Sequence, residues 1–283
     1  MESHNPEDLL TDNKLEFISE YLNNNNKVEL KERILKIYRE TKAELNIFQC
    51  IQRFLFLVPR IKYHSYYKTL KQDFDNGKLN DKYFFEIGAC FGGDIRQLIL
   101  DGWKPSQLYV NDLNDDYWKK SLKLFNDKES LEAKGINYVF GDLCTSEYVD
   151  VEYSSLVNKV NYVQANAILH VLSQTQIEQL LSNMYKIMSP GGSVLFGCTV
   201  CRKTPGEWFQ DPRSGQTRYL HSIDSLKALL TKLGFDKVEV LEIDYKFDDS
   251  WRKGPTFMNL TYPDAKLEES DLMEFIEFTA YKQ

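Results

Sequence analysis

The feature that most constrains the fold of this chain is the stretch YFFEIGACFGGDIRQLI at residues 83–99. Residues with high strand propensity end at an acid, three glycines fall within six residues, and an apolar helical pattern follows. This order predicts a strand, a tight turn and the start of a helix, an arrangement that often holds nucleotide-like cofactors. It leaves open which cofactor the turn holds, because Cys90 stands where a dinucleotide site has its second glycine.

Strand-like and helix-like windows alternate from Lys82 onward. The clearest helical windows are 173–188, where Ser173 and Gln176 form a capping box, and 222–233. Such alternation predicts an α/β fold with a mostly parallel sheet that is covered on both faces. The strand candidates are 83–87, 108–112, 136–140, 160–165, 193–200, 237–243 and 273–281.

The part of the chain before this region reads differently. Residues 1–29 are polar, and a helical pattern runs from Leu30 to about Phe74, interrupted by Pro59. We therefore expect two or three helices that form an extension or lid. The predicted division is a polar N-terminus with a helical lid at 1–80 and the α/β domain at 81–283.

Composition narrows the possible partners. The net charge of −7 argues against a nucleic-acid or anionic-membrane surface, because both reward Lys and Arg. No apolar run reaches the roughly 18–20 residues of a membrane span, and the N-terminus is acidic, so the protein is predicted to be cytoplasmic. Cys198 and Cys201 form a lone CxxC, which we interpret as the end of a strand and not as a metal site.

Acids fall at the ends of three successive strand candidates. Glu86 would repel a pyrophosphate but would attract an ammonium or sulfonium group, and S-adenosylmethionine carries both. Asp112 can accept hydrogen bonds from two ribose hydroxyls. Asp142, with Leu143 beside it, suits the amino group and ring face of an adenine. Glu86 therefore favours S-adenosylmethionine as the cofactor, whereas the acid at Asp112 serves NAD and S-adenosylmethionine alike.

The motifs FFEIGACFGGDIRQLILDG, LYVNDL, YVFGDL and MSPGGSVLFG resemble the motif series of class I S-adenosylmethionine-dependent methyltransferases over roughly residues 80–240. A narrower resemblance, carried by ACFGGDIRQLILDGWKPSQLY and RIKYHSYYKTL, is to fungal-type methyltransferases of terpenoid and polyketide intermediates. The chain departs from that group at Glu86, where an Asp is common, at Ala89, where a Cys is common, and at Gly93, where a Gln is common.

The resemblance implies a Rossmann-like sheet of seven strands, the last antiparallel, with an N-terminal helical extension. It also implies S-adenosylhomocysteine as the product and a set of residues around the cofactor. These are Tyr67, Glu86, Gly88, Ala89, Cys90, Gly92, Asp112, Leu113, Asp142, Leu143 and Gln164.

Methyl transfer requires alignment of the reacting groups and exclusion of water more than acid–base chemistry. A carboxylate acceptor is already ionised at neutral pH, whereas a phenol benefits from a base. His170, just past the fourth strand, is the candidate catalytic residue, and Arg218 could pair with an acidic acceptor. The polar segment 201–215, with Trp208 and Phe209, is expected to be an acceptor loop.

We therefore expect methyl transfer to a small, largely apolar acceptor, on the oxygen of a carboxylate or hydroxyl, with no nucleic-acid or membrane partner. Two alternatives remain: an NAD(P)-dependent oxidoreductase, and a methyltransferase-like binding module that has lost catalysis. Cys90 and Glu86 count against the first. The intact acids and glycines count against the second.

Overall fold

A computed structural model of the chain describes residues 6–45, 47–211, 215–243 and 274–283. It contains a seven-stranded sheet in the order β3-β2-β1-β4-β5-β9-β8 and a separate two-stranded sheet, β6-β7. The strands are β1 (Phe84–Glu86), β2 (Leu108–Asp112), β3 (Asn137–Phe140), β4 (Tyr162–Gln164), β5 (Ser193–Cys201), β6 (Gly206–Gln210), β7 (Thr217–Leu220), β8 (Asp236–Glu242) and β9 (Glu274–Lys282).

The pairing directions follow the predicted pattern. β1 with β4, β4 with β5, and β2 with β3 are parallel, whereas β9 runs antiparallel to both β5 and β8. The predicted fold class, with its seven strands and antiparallel last strand, is confirmed. Residue 273, at the start of the last predicted strand, lies outside the described residues.

Helices precede the sheet and separate its strands, and the predicted N-terminal helical extension is present. They are α1 (Pro6–Leu9), α2 (Glu16–Leu22), α3 (Lys27–Glu44), α4 (Gln49–Gln52), α5 (Tyr67–Asp75), α6 (Gly93–Leu100), α7 (Asp116–Phe125), α8 (Lys128–Ala133), α9 (Gln174–Ile187) and α10 (Ile223–Lys232). α9 begins at the predicted capping box: the Gln176 N–H donates to Ser173 Oγ, and the Ser173 N–H donates to Gln176 Oε1.

The chain divides into two compact units, which we describe separately. The first consists of residues 1–62 and 88–140, and the second of residues 63–87 and 141–283. The predicted domain division at residue 80 stays a prediction.

The core of the first unit joins the N-terminal helices to the segment around the glycine turn. Its buried cluster draws on helices α2 and α3, on residues 51–57, and on Phe91, Leu124 and Phe125. The N-terminal helices therefore share one hydrophobic core with the turn that begins at Gly88.

The second unit buries β5 along its whole length and packs the apolar face of α9 in its core. It also contains β6, which the sequence analysis assigned to a loop and which pairs antiparallel with β7. Residues 206–210 of the predicted loop are thus a strand, in which the side chain of Trp208 is buried. Residues 212–214 of that predicted loop lie outside the described residues.

A membrane span needs a helix that is both long and apolar. Across the described ranges, no helix meets both conditions.

Candidate functional site

The turn after β1 is joined to β2 by one backbone hydrogen bond and closed on itself by another. The Ala89 N–H donates to the Asn111 carbonyl at 2.8 Å, and the Gly92 N–H donates to the Ala89 carbonyl at 2.6 Å. Gly88, Cys90 and Gly92 all have positive φ angles, of 64°, 51° and 59°. Glycine adopts this region freely, and a cysteine does so only under constraint from its surroundings. Cys90 therefore holds a strained position on the turn.

Part of that constraint is the carboxylate of Asp112. The Cys90 N–H donates to Asp112 Oδ2 at 2.8 Å, and the Leu113 N–H donates to Asp112 Oδ1 at 2.8 Å. These bonds orient both carboxylate oxygens at the carboxyl end of β2. Burial nevertheless raises the pKa of Asp112, and the two backbone donors offset only part of that rise. Beside it, the Leu113 side chain is 65% exposed, which leaves apolar surface next to an oriented acid.

Gly92 is required by packing as well as by its backbone angle. A Cβ at this position would lie 2.2 Å from the indole ring of Trp118. The turn therefore packs directly on α7, and no larger residue fits without a shift of the Trp118 side chain.

Arg96, on α6, binds the turn through its guanidinium group. Its guanidinium donates to the carbonyls of Phe91 and Gly92 and makes a bidentate ion pair with Asp127, at 2.7 Å and 3.0 Å. Arg96 is fully buried, and its charge lies over the rings of Phe125 and Trp118. A buried charge is tolerated only when it is paired and hydrogen-bonded, and Arg96 meets both conditions.

The second unit brings together two other predicted residues. Glu86 ends β1, Gln164 ends β4, and the two are register partners on adjacent parallel strands. Both side chains are buried. A carboxyl and an amide thus lie side by side at the carboxyl ends of their strands, where open α/β sheets bind ligands.

Asp142 and Leu143 follow β3 in a segment held by side chains. The Cys144 N–H donates to Asp142 Oδ1 at 2.8 Å, and Asn183 Nδ2 donates to the Leu143 carbonyl at 2.9 Å. The side chain of Asp142 is half-buried, whereas that of Leu143 lies in the core. The carboxylate of Asp142 is therefore more accessible to solvent than the side chain of Leu143.

His170 lies in a short 3₁₀ turn, Leu169–Val171, after β4. Its Nδ1 is 3.3 Å from the hydroxyl of Thr199 on β5, and its side chain is half-buried. An imidazole held on one nitrogen by a hydroxyl keeps a defined ring orientation, as a positioned base requires.

Tyr67, the remaining predicted residue, is half-buried at the first position of α5. Arg218 differs from expectation. It is buried, and its Nη2 pairs with Asp211 Oδ2 at 2.8 Å, so an acid of this chain already neutralises it. This ion pair counts against the prediction that Arg218 binds an acidic acceptor.

Three residues that support the candidate site were not predicted from the sequence: Arg96, Asp127 and Thr199. Arg96 followed the turn in the quoted motif, but nothing in the sequence linked it to an aspartate 31 positions away. Thr199 sits in a mostly apolar strand pattern, where a single threonine gives little signal.

Comparisons with known proteins bear on the class of this chain. No family model matches it. It is 25% identical over 218 residues to O-methyltransferase phiE of a fungal species, covering 75% of this chain and 70% of that protein. It is 26% identical over 222 residues to the asnovolin E/chermesin D methyltransferase nvfJ of Aspergillus novofumigatus, covering 77% and 74%. Its match to methyltransferase trt5 of Aspergillus terreus, also at 26%, covers 64% of this chain and 62% of that protein.

Solved structures agree on the fold. The chain aligns with a TM-score of 0.50 to the 1,6-didemethyltoxoflavin-N1-methyltransferase of Burkholderia thailandensis, which contains S-adenosylhomocysteine, covering 90% of this chain and 89% of that one. It aligns with the same score to the [4+2]-cyclase SpnF, covering 77% and 84%. At 11% and 13% identity, these two structures show the fold alone.

The resemblance stated from the motifs is confirmed at the level of class. This chain has the fold of class I S-adenosylmethionine-dependent methyltransferases, and its sequence is similar to fungal methyltransferases of the secondary-metabolite type. The enzyme class and its cofactor agree with the sequence-based expectation. The two alternatives, an oxidoreductase and an inactive binding module, receive no support from the comparisons.

Proposed function

We propose that this protein uses S-adenosylmethionine to methylate an oxygen, of a carboxylate or a hydroxyl, on a small and largely apolar acceptor. The name of one relative, an O-methyltransferase, supports the choice of oxygen. The cofactor, when bound, supplies an electrophilic methyl group on a sulfonium. All other steps fall to residues of the chain.

The arrangement at Asp112 carries the proposal. Its two carboxylate oxygens are oriented by the N–H groups of Cys90 and Leu113, at the strand end where this fold binds ligands. A carboxylate accepts hydrogen bonds from two adjacent hydroxyls, and the exposed Leu113 offers apolar surface beside it. These residues fit the ribose of an adenosyl group.

The other predicted residues are assigned in the same terms. Glu86 holds the ammonium of the cofactor's methionyl part. The backbone of the turn approaches the cofactor closely at Gly88, Ala89, Cys90 and Gly92. Asp142 takes the adenine amino group, with Leu143 beside it. Gln164 and Tyr67 complete the set.

His170 is proposed to act on the acceptor. For a hydroxyl acceptor, it takes the hydroxyl proton, with its ring oriented by Thr199. For a carboxylate acceptor no proton needs to move, and His170 holds the carboxylate in place.

Calorimetric titration of the protein with S-adenosylhomocysteine, S-adenosylmethionine and NAD tests the cofactor. We expect binding of the adenosyl ligands only, weakened about 10- to 100-fold by Asp112→Asn, because hydrogen bonds to a charged group contribute about 1.5–3 kcal/mol. NAD binding, or no adenosyl binding, would overturn the proposal.

The same variant has a built-in control for misfolding. Burial raises the pKa of Asp112, so the ionised form costs the folded state stability at every pH above its raised pKa. Asp112→Asn removes that charge. It also replaces one of the two acceptor oxygens by an NH2 group that faces a backbone N–H, which offsets the gain in stability. A circular dichroism spectrum like that of the wild type is therefore the control that the variant folds while its cofactor binding falls.

A screen of apolar carboxylic acids and phenols with His170→Asn tests the acceptor chemistry. With a phenol, the variant should lose at least tenfold in kcat and lose the rise of kcat with pH, because general-base catalysis contributes about 100-fold or more. With a carboxylic acid, KM should rise more than kcat falls. A phenol-methylating enzyme whose His170→Asn profile is unchanged would exclude His170 as the base.

A further inference from the structure

Two buried residues of the second unit hold three consecutive backbone N–H groups where α5 begins. The Ser65 N–H donates to Glu277 Oε2 at 3.1 Å, and the Tyr66 N–H donates to His64 Nδ1 at 3.1 Å. The Tyr67 N–H donates to the His64 carbonyl at 3.0 Å. N–H groups at a helix start have no partner within the helix, and those away from water must be paired elsewhere. His64 and Glu277 supply these partners for α5.

The two ring nitrogens of His64 have different roles. Nδ1 accepts the Tyr66 N–H and so carries no proton, which leaves the ring proton on Nε2, 3.2 Å from the Gly197 carbonyl oxygen. The ring is 2% exposed, and burial lowers the pKa of His64 while the charge of Glu277 opposes that shift, so the ring is neutral at pH 7. His64 thus bridges the backbone before α5 to β5.

This bridge lies next to a strand end expected to hold the cofactor. Gln164, at the end of β4, is the register partner of Phe196 on β5. The ring of Phe196 lies 5.1 Å from the ring of His64 and 5.4 Å from that of Tyr66, between centroids. The start of α5 therefore packs on the direct neighbour of Gln164.

Glu277 ties the same segment to β9. Its side chain is 5% exposed, and its carboxylate accepts the Ser65 N–H. The ring of Tyr66 also meets that of Tyr281 on β9 edge to face, at 6.3 Å between centroids. Because β5 and β9 are paired antiparallel, His64 and Glu277 fix the segment to two adjacent strands.

We propose that His64 and Glu277 are positioning residues that clamp residues 65–67 against β5 and β9 and so set Tyr67 in the cofactor site. The clamp consists of hydrogen bonds in the unloaded protein. Its effect on the cofactor rests on the proposed function, which places Tyr67 there. Without the clamp, the segment adopts other positions, and the apparent affinity falls with the fraction of molecules that keep the binding position.

Two substitutions separate the acceptor of His64 from its donor. Asn can place Oδ1 where the ring has Nδ1, and so keeps an acceptor for the Tyr66 N–H. Gln extends its amide to the position of Nε2, and so keeps a donor for the Gly197 carbonyl but leaves the Tyr66 N–H unpaired. A buried N–H without an acceptor is costly. The clamp therefore predicts that Asn replaces His64 better than Gln does.

Hydrogen exchange of the unloaded protein, measured residue by residue, tests the clamp. We expect about tenfold faster exchange at residues 65–67 in His64→Gln and in Glu277→Leu, because the loss of one buried hydrogen bond shifts a local opening equilibrium by about that factor. His64→Asn and Glu277→Gln, which keep an acceptor oxygen, should exchange like the wild type. Unchanged exchange in His64→Gln and Glu277→Leu, or equally fast exchange in the Asn and Gln variants of His64, would overturn the clamp.

Calorimetric titration with S-adenosylhomocysteine tests the effect on the cofactor. His64→Gln should bind about tenfold more weakly, whereas His64→Asn should stay within about threefold of the wild type. Leu226→Ala, at a fully buried position of α10, is the control for a general loss of stability and should bind like the wild type.

The outcomes separate this proposal from the proposed function. A His64→Gln protein with faster exchange and unchanged affinity, or a Leu226→Ala protein that is weakened equally, would overturn the effect on the cofactor. Wild type that does not bind S-adenosylhomocysteine would overturn the proposed function and, with it, that effect. The exchange rates at residues 65–67 would still decide the clamp.

Discussion

His221 is a buried titratable residue at the end of β7. Its Nδ1 lies 2.9 Å from Ser225 Oγ, and its Nε2 has no hydrogen-bond partner among the described residues. Burial lowers its pKa to about 4, with a smaller opposing effect from Glu178. Because the folded-state pKa lies below the unfolded value, the unfolded state binds the proton first, and stability is lost as the pH falls from about 6.5 toward about 4.

We therefore predict that His221→Asn reduces the sensitivity of this protein to acid. Asn can keep the hydrogen bond to Ser225 but does not titrate. Between pH 7 and pH 5 the wild type should lose about 2 kcal/mol more unfolding free energy than the variant does. Urea denaturation at both pH values measures the difference, and because the carboxylates and His64 are common to both proteins, their contributions cancel. Parallel losses in the two proteins would contradict the prediction.

Arg96 supports the turn through its buried pair with Asp127. Arg96→Met leaves that carboxylate buried, with the Tyr21 hydroxyl as its one remaining side-chain donor among the described residues. We predict a loss of about 3–5 kcal/mol of unfolding free energy, the usual cost of breaking a buried ion pair. The double variant Arg96→Met/Asp127→Asn should be less unstable than the sum of the two single variants, and chemical denaturation of all four proteins gives this coupling. Additive losses would show that the pair does not act as a unit.

At this scale the positions of the acids at strand ends could be predicted, but the side chains that support the turn beside them could not. Glu86 and Asp112 could be found because each ends a strand-like run beside a glycine turn, a signal local in sequence. Asp127 could not be found, because its role depends on a contact with Arg96 across 31 positions. Sequence periodicity carries no information about such long-range pairs.

At the scale of elements, two glycines allow the cost of a left-handed backbone to be measured apart from the cost of overpacking. Gly92 and Gly191 both have positive φ, but a Cβ at Gly92 would meet Trp118, whereas one at Gly191 would meet nothing within 4 Å. We predict that Gly191→Ala costs about 1 kcal/mol from the left-handed backbone alone. Gly92→Ala should cost about 3 kcal/mol or more, since overpacking adds to it. Thermal and urea unfolding of both variants measure the two terms, and equal losses would exclude the packing term.

Element bounds were predictable where one periodicity dominated. β2 matches its predicted range, and α9 begins at the capping box that the sequence displayed. The β6–β7 pair was missed because glycine, proline and charged residues in 201–215 read as a loop. The strands are short, and Trp208 buries itself through a tertiary contact that local propensity does not show.

At the scale of the whole molecule, the fold limits the reaction less than the site does. The same fold serves an N-methyltransferase and a cyclase among its structural neighbours. A mostly parallel sheet could be predicted from the alternation of strands and helices, and its seven strands with an antiparallel last strand came from the family resemblance. The acceptor could not, because it depends on side chains that many sequences can supply on one scaffold. The tests of Asp112 and His170 therefore carry more weight for function than further comparison of folds.

The N-terminal helices give the last prediction. Their apolar side chains form one cluster with Phe91 and Phe125, so deletion of residues 1–45 would expose the core beneath the turn. We expect the truncated protein to lose cooperative thermal unfolding and cofactor binding, which a separable lid would not cause. A matched pair on α3 refines this: Ile34→Ala, at a fully buried site, should cost about 2–5 kcal/mol. Val28→Ala, at a site 68% exposed, should stay within about 0.5 kcal/mol. A truncated protein that melts cooperatively and binds S-adenosylhomocysteine would show that these helices are an accessory, because a shared core cannot survive the loss of one side.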